Sequence, residues 1–325
     1  MPYSSDVVRR ALRRLETNKA DHDSLQQARL QEVYRQIPRV WEIDKQLRLS
    51  MATTVQAAFQ KGENSADALM RARDTNLALQ AERNSLISAT FPAEYLDESP
   101  ICSHCGGTGY IGSHMCVCLL ELCREEQKKE LALLTTGDAS FANFRLDYYP
   151  ETIDPKYGAS PRVIMGKILE ICRKYAMNFS LQSGNLLFNG GTGLGKTYLS
   201  GCIAREVANK GFSVAYESAQ QLFSKMEKDH FRPDEESAAA VAKFSLCDLL
   251  IVDDLGTELP GNFVTAALYH IVNDRILSGK PTIISTNLNI SEIHERYSPQ
   301  IASRLQGQFQ LLPFVGEDIR VLKTK

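Results

Sequence analysis

Eight consecutive residues, Gly190-Gly191-Thr192-Gly193-Leu194-Gly195-Lys196-Thr197, constrain this chain more than any other stretch. They meet the spacing G-x-x-x-x-G-K-[ST] through Gly190, Gly195, Lys196 and Thr197. The flanks agree: Asn185 to Asn189 reads as a strand and Thr197 to Asn209 as a helix. That strand–loop–helix setting gives the pattern its meaning. Glycines let backbone N–H groups turn inward around phosphates, and the helix N-terminus adds partial positive charge. Lys196 is then placed for the β and γ phosphates of a nucleoside triphosphate, and the Thr197 hydroxyl for magnesium. The expected ligand is ATP with Mg2+.

The chain around the loop reads as an α/β fold. From about residue 162, apolar runs alternate with helical stretches. The runs are Leu186-Leu187-Phe188, Ser213 to Tyr216, Leu249 to Val252 and Thr282 to Ser285. Such alternation predicts a parallel sheet flanked by helices. In Leu249-Leu250-Ile251-Val252-Asp253-Asp254, a buried strand delivers acid to the sheet's C-terminal edge, where ligands bind in these folds. Asp253 is expected to hold Mg2+, through water, and Asp254 to orient the attacking water. Glutamate is commoner at the second position; the shorter aspartate implies slow or partner-assisted turnover. Asn287, ending the run Ile283-Ile284-Ser285-Thr286-Asn287, is expected to lie beside the γ phosphate.

A chain of 325 residues has room for two domains. With 43% apolar and 23% charged residues it can bury ordinary cores. The net charge of −2 excludes whole-molecule attraction to nucleic acid, so any DNA contact needs a local patch. No apolar run approaches the ~18 residues of a membrane span. The first residues, Met1 to Arg14, lack the apolar centre of a signal peptide. A cytoplasmic protein with no membrane partner is expected. The first ~90 residues read as four helices. Val7, Val8, Ala11, Leu12 and Leu15 form one face of the first, with Arg9, Arg10, Arg13 and Arg14 opposite. The second carries Leu25, Leu30, Val33 and Ile37 and stops near Pro38. The third carries Val40, Ile43, Leu47, Met51, Val55 and Phe59 and breaks near Gly62. The fourth, opened by Asn64 or Ser65, carries Leu69, Ala72, Leu77, Leu86 and Ile87. Thr135 to Pro161, with its prolines and the aromatics Phe141, Phe144, Tyr148, Tyr149 and Tyr157, reads as a linker whose rings pack onto the second domain. The expected division is 1–134, a helical N-terminal domain that binds a partner; 135–161, a linker; and 162–325, the nucleotide domain.

Four of the eight cysteines, Cys102, Cys105, Cys116 and Cys118, fall within one short stretch. In a reducing compartment such clustering favours metal over disulfides. Four thiolates suit tetrahedral Zn2+, and Gly106 and Gly107 permit a knuckle turn. An iron–sulfur cluster takes the same thiolates. The C-x-C pair is tight, which leaves His104, His114 and Cys123 as substitutes. The expected role is structural. Cys172, Cys202 and Cys247 sit in apolar settings and read as core.

The order of these elements resembles the AAA+ ATPases, and more narrowly the bacterial replicative-helicase loaders (DnaC/DnaI-like) with their transposon relatives, the IstB-like ATPases. The GGTGLGKT loop, LLIVDDLG at 249–256, STN at 285–287 and the stretch Glu295-Arg296-Tyr297 to Ser303-Arg304-Leu305 carry the resemblance, over roughly residues 140–325. It implies that Arg304, or secondarily Arg296, reaches the γ phosphate of a neighbouring subunit's ATP, and so a self-oligomer with ATP at subunit interfaces. The chain ends about twenty residues after Arg304, which leaves no room for the helical lid of many AAA+ proteins. The resemblance also implies a grip on single-stranded DNA between Tyr216 and the 249 strand. Lys225, Lys228, Phe231 and Arg232 lie there, interleaved with Glu227, Asp229, Asp234, Glu235 and Glu236. A loader would dock its zinc-bearing N-terminal domain on a DnaB-like replicative helicase. The alternatives are a transposition ATPase and a nucleotide-dependent DNA-binding switch with little turnover.

Overall fold

The structure is a computed structural model and describes residues 3–59, 65–92, 94–97, 99–134 and 139–322. The break near Gly62, the cap at Asn64 and the start of the linker at Thr135 lie outside the described residues. So do the side chains of Met51, Val55, Phe59, Ser65, Leu69 and Glu236. Among the described residues, no helix is long and apolar enough to cross a membrane.

The chain forms two compact units, Arg13–Cys116 and Met1–Leu12 with Val117–Lys325. Helix α1 (Ser5–Gln36) is continuous where the sequence reading expects two helices. No glycine or proline interrupts it, and the polar run Asp21 to Ser24 simply faces outward. The stop expected near Pro38 is where α1 ends, at Gln36, and Pro38 then starts α2 (Pro38–Phe59), since its missing N–H is not needed in a first turn. In the smaller unit α2 packs on α3 (Ser65–Thr90). Val33, Val40 and Ile43 are fully buried. Arg39 forks onto Glu82 at 2.9 and 3.3 Å, and Arg83 meets Asp44 at 2.8 Å. A hairpin follows, β1 (Tyr110–Ile111) against β2 (His114–Met115).

The larger unit is built on a five-stranded parallel sheet. Ahead of it come α4 (Val117–Leu134), two short 3-10 turns (Phe141–Asn143 and Leu146–Tyr148) and α5 (Pro161–Met177). The sheet region runs β3 (Asn185–Asn189), α6 (Lys196–Asn209), β4 (Val214–Ser218), α7 (Ala219–Phe231), α8 (Glu235–Leu246), β5 (Leu249–Leu255), α9 (Asn262–Leu277), β6 (Thr282–Thr286), α10 (Ile290–Arg296), α11 (Pro299–Gln308), β7 (Phe309–Pro313) and α12 (Ile319–Leu322). Strand order is β4-β5-β6-β3-β7. Side chains alternate between two cores, as period-2 strands covered on both faces require. Leu186, Phe188, Tyr216, Ile251 and Ile283 enter one core; Leu187, Ala215, Leu250, Val252 and Ile284 enter the other.

This unit takes in more than 162–325. Helix α4, expected with the N-terminal domain, packs on α6 and β4. Its buried Gln127 accepts from Val214 N–H at 3.0 Å and donates to the Phe212 carbonyl at 3.0 Å, continuing the ladder at the edge strand. The first turns of α1 also belong here, with Val7, Val8 and Ala11 buried and Arg10 on Glu130 at 2.8 Å. Residues 139–161 are part of the fold rather than a spacer. Tyr149 is 1% exposed, and Phe141, Phe144 and Leu146 pack on the first core.

Candidate nucleotide site

The phosphate loop joins β3 to α6 with three left-handed glycines, Gly190 (φ 152°), Gly193 (φ 70°) and Gly195 (φ 89°). Their need for glycine comes partly from within the protein. A Cβ on Gly190 would overlap the Phe314 carbonyl, and one on Gly193 would overlap the Asp318 carboxylate. A Cβ on Gly195 would stand 3.1 Å from the Tyr149 hydroxyl. Tyr149 braces the loop by donating to the Leu194 carbonyl at 2.9 Å. Thr197, one turn into the motif, is exposed and Lys196 is 5% exposed.

The loop opens on a cavity of about 400 Å³. Its polyphosphate end is formed by Thr192 to Thr197, Asp254, Thr257 and Asn287. Asn143, Phe144, Arg145, Tyr148, Ile319 and Arg320 also line it. Lys196 Nζ donates to the carbonyls of Gly190 and Gly191, both at 2.7 Å, and to Asn287 Oδ1 at 2.6 Å. Burial holds its pKa below the ordinary lysine value, opposed by the nearby Asp254 and Asp253.

The two acids end up in different surroundings. Asp253 is buried and accepts from Tyr216 OH at 2.8 Å and from the Ser285 hydroxyl. Asp254 lines the cavity. Strand register explains the difference. Val252 pairs with Ile284 but Leu255 pairs with Thr286, so β5 carries one extra residue there. This bulge puts Asp254 at φ 56°; no other non-glycine residue among those described has a positive φ. Ser285 Oγ clamps it, accepting the Asp254 N–H at 2.9 Å while donating to Asp253. Burial, then the Asp253 charge, raises the Asp254 pKa above the usual carboxylate range.

The end of strand β6 and the residue after it thus give three successive residues to three parts of the site. Ser285 holds the acids, the Thr286 hydroxyl donates to the Leu255 carbonyl at 2.7 Å, and Asn287 takes Lys196. That is possible because β6 lies between β3 and β5.

The arginines lie elsewhere. Arg304 on α11 is not among the residues lining this cavity. It stacks over Tyr269 at 4.5 Å, donates to that hydroxyl at 2.8 Å and reaches Asn273 Oδ1 at 3.1 Å. Arg296 donates to the Glu258 carbonyl. Of the basic residues toward α7, Lys225 pairs with Glu217 at 2.7 Å and Lys228 with Asp234 at 3.3 Å. Phe231 is 66% exposed and meets His230 and Phe263, and Arg232 is exposed.

The sequence reading misses Ile319, Arg320, Tyr148 and the Tyr216–Asp253–Ser285 arrangement. A tyrosine hydroxyl inside a buried strand was the available signal for the last; a short final helix of mixed composition gave none for the first two.

The sulfur atoms of Cys102, Cys105, Cys116 and Cys118 all lie within 4.8 Å of one another. Turns bonded from Gly106 N–H to the Cys102 carbonyl (2.8 Å) and from Thr108 N–H to the Cys105 carbonyl (3.2 Å) form the knuckle. Gly109 N–H donates to Cys105 Sγ at 3.3 Å. The set is consistent with tetrahedral zinc. His104 and His114 are outside this group, each beside its preceding serine at 3.4 Å. Cys123 is fully buried away from it, its thiol pKa pushed up to about 11 by burial. Cys172, Cys202 and Cys247 are core residues.

Sheet order, phosphate loop, acid-bearing strand and polar β6 end together define a P-loop domain of the AAA+ class. More narrowly, residues 168–320 match the family described as IstB-like ATP binding protein. The replicative helicase loader DnaC of Escherichia coli is 28% identical over 139 residues, 42% of this chain and 56% of that protein. An insertion-sequence putative ATP-binding protein of Bacillus thuringiensis is 26% identical over 151 residues, 45% of this chain and 59% of its own. The chain therefore spans little more than half the length of these curated relatives. Among solved structures, that of a DnaC helicase loader superposes with TM-score 0.45 at 21% identity, covering 54% of this chain and 98% of the other.

Proposed function

We propose that this protein loads a replicative, DnaB-like helicase onto single-stranded DNA, binding and hydrolysing ATP between its own subunits. The observation that carries the reading is the separation of parts. One chain supplies Lys196, Thr197, Asp253, Asp254 and Asn287, while Arg304, on α11, is held against Tyr269 and Asn273 of α9 and does not line its own chain's cavity. An arginine so displayed fits a neighbour's γ phosphate. Mg2+, held by Thr197 and through water by Asp253, would supply charge neutralisation to the β and γ phosphates. Asp254 in the cavity orients the attacking water, and its neighbour Lys196 leaves Asn287 and the loop carbonyls to meet phosphate. The likeness to the E. coli loader supports the replication role. So do α1 to α3, which leave Leu25, Trp41, Leu49, Met70 and Leu77 each roughly half exposed or more, apolar area of the kind a partner covers. Zn2+ on the four cysteines belongs to the same proposal as a structural ion. Single-stranded DNA would run past Phe231 and Arg232; Lys225 and Lys228 contribute only by leaving their surface ion pairs, which are worth little.

The family match and the insertion-sequence relative favour a second reading, a transposition ATPase. The test uses the full chain with the replicative helicase of the same organism. A complex on size exclusion, with hydrolysis stimulated by helicase and single-stranded DNA, is expected. Arg304→Ala should lose hydrolysis and keep ATP binding. No helicase complex, with stimulation by a transposase instead, transfers the assignment to the second reading.

A further inference from the structure

The turn after the two acids sets a second polar side chain beside Asp254. The Thr257 N–H and the Thr257 hydroxyl both donate to the Asp254 carbonyl, at 3.3 and 2.8 Å. Gly256 permits this fold-back: its φ is 104°, and a Cβ there would stand 2.7 Å from Leu288 Cδ1. The next residue fixes the turn. The buried Glu258 carboxylate accepts the Gly256 N–H at 2.9 Å and the Tyr297 hydroxyl. Thr257 is therefore held in place although it is exposed, and it lines the cavity together with Asp254. A hydroxyl has one hydrogen and two lone pairs. The Thr257 hydrogen points at the Asp254 carbonyl, so what its oxygen offers the cavity is lone pairs. Among the described residues, neither that oxygen nor the Asp254 carboxylate accepts a hydrogen bond. Asn287 Oδ1, by contrast, is taken by Lys196, and the Asp253 oxygens by Tyr216 and Ser285. A water attacking phosphorus has two hydrogens to place, and two open acceptors on one turn suit them.

We propose that Thr257 is a catalytic residue whose oxygen, with the Asp254 carboxylate, orients the water that attacks the γ phosphate. The proposal rests on the ATPase reading above and sharpens it. The water oxygen forms a bond to the γ phosphorus. The bond from phosphorus to the β–γ bridging oxygen breaks, and its electron pair leaves with ADP. One water proton passes to the Asp254 carboxylate. The other stays on the new phosphate, and Thr257 accepts its hydrogen bond. One acceptor leaves the water free to turn about that bond, whereas two fix the lone pair aimed at phosphorus. Thr257 thus offsets the short reach of an aspartate where glutamate is commoner. The competing role is structural: the hydroxyl only closes the turn that carries Asp254.

The test compares the full chain with Thr257→Val, similar in shape but unable to accept, and with Thr257→Ser. Hydrolysis is measured with Mg2+, single-stranded DNA and the replicative helicase of the same organism. Affinity is measured for Mg2+-ATP and for two complexes of Mg2+-ADP. The beryllium fluoride complex imitates bound ATP; the aluminium fluoride complex imitates the phosphoryl group in transfer, with the water in line. Loss of one hydrogen bond to that water should lower kcat about tenfold and weaken the aluminium fluoride complex about as much. Affinity for ATP and for the beryllium fluoride complex should change by less than about twofold. Serine should restore both losses. In an Asp254→Asn background, valine should still weaken the aluminium fluoride complex. A structural role predicts equal loss for both fluoride complexes with a lower Tm of the nucleotide-free protein, or no further loss once Asp254 is changed. Either result overturns the inference. Wild type that hydrolyses no ATP overturns the ATPase reading itself, whereas an active wild type matched by the valine variant overturns only the role of Thr257.

Discussion

Gly190→Ala and Gly191→Ala alter adjacent residues of one motif, and the structure assigns them opposite outcomes. At Gly190 the backbone has φ 152°, and a Cβ would overlap the Phe314 carbonyl and approach the Phe314 Cβ to 2.9 Å. Neither obstacle is a flexible side-chain end. Phe314 is fixed by its N–H on Asn189 and is 2% exposed in the core. A glycine-only backbone costs on the order of 1–3 kcal/mol for another residue, and forced overpacking about as much again. The sum centres on roughly 4 kcal/mol, which for a unit of this size lowers Tm by about 8–16 °C. At Gly191 a Cβ would meet only Leu194 Cδ1 at 3.7 Å, ordinary contact, and φ is not positive. There alanine should shift stability by less than about 1 kcal/mol, in either direction. The assay is thermal melting of the full chain, followed by circular dichroism, with no nucleotide present. If these glycines serve only to bring N–H groups to phosphate, the nucleotide-free protein should not notice either change. Equal Tm values for the two variants would refute the argument that the C-terminal segment imposes Gly190.

Two further outcomes are expected. The full chain should carry one Zn2+, lost in Cys118→Ser and kept in Cys123→Ser by metal analysis; metal kept by the first variant removes Cys118 from the site. Because the folded pKa of Asp254 is raised, the stability it contributes is complete below the ordinary aspartate value and is lost as pH rises through the raised one. Asp254→Asn, which suits a left-handed backbone, should therefore abolish hydrolysis yet raise the Tm of the metal-free, nucleotide-free chain at pH 7. That gain should shrink on acidification toward about pH 4; a gain independent of pH rejects the desolvation argument.

What the sequence disclosed follows from where information is local. The four strands β3 to β6 were legible, because a strand buried on both faces is mostly apolar, as Leu249 to Val252 is; the edge strand β7, with Gln310 and Leu311 exposed, lacks that pattern. The motif residues were legible because phosphate wrapping needs glycine, lysine and a hydroxyl at fixed spacing. The two acids were legible, but the bulge that parts their surroundings was not. One inserted residue relative to β6 decides which of them faces the cavity, and nothing in Asp253-Asp254 announces a bulge. Arg320 was hidden for another reason. Its place at the cavity comes from Gly193 and Asp318 meeting across more than a hundred residues of chain, while its own neighbours have no periodic pattern. The packing of the aromatics between 135 and 161 was anticipated, whereas the boundary at 134 parted α4 from the sheet it packs on, because an amphipathic helix does not announce which unit covers its apolar face.

The path from Asn287 to Arg304 gives the proposed roles a physical connection. Asn287 shares Lys196 with two loop carbonyls, so an arriving phosphate competes for the ammonium and releases the asparagine. Two residues on, Asn289 caps α10, its side chain accepting the Glu292 N–H at 2.9 Å while Glu292 returns to the Asn289 N–H at 2.7 Å. Reciprocal capping makes the start of α10 stiff. Helix α10 packs on α11, which carries Arg304. At the other end of α10, Arg296 and Tyr297 both bind Glu258, whose carboxylate accepts the Gly256 N–H at 2.9 Å just past Asp254. Helix α10 is thus tied at one end to the residue that reads Lys196 and at the other to the loop that follows the acids. A shift of either reaches α11 through packed helix rather than loose chain. In an oligomer with Arg304 serving the next site, the state of one nucleotide would set the aim of the arginine offered to its neighbour.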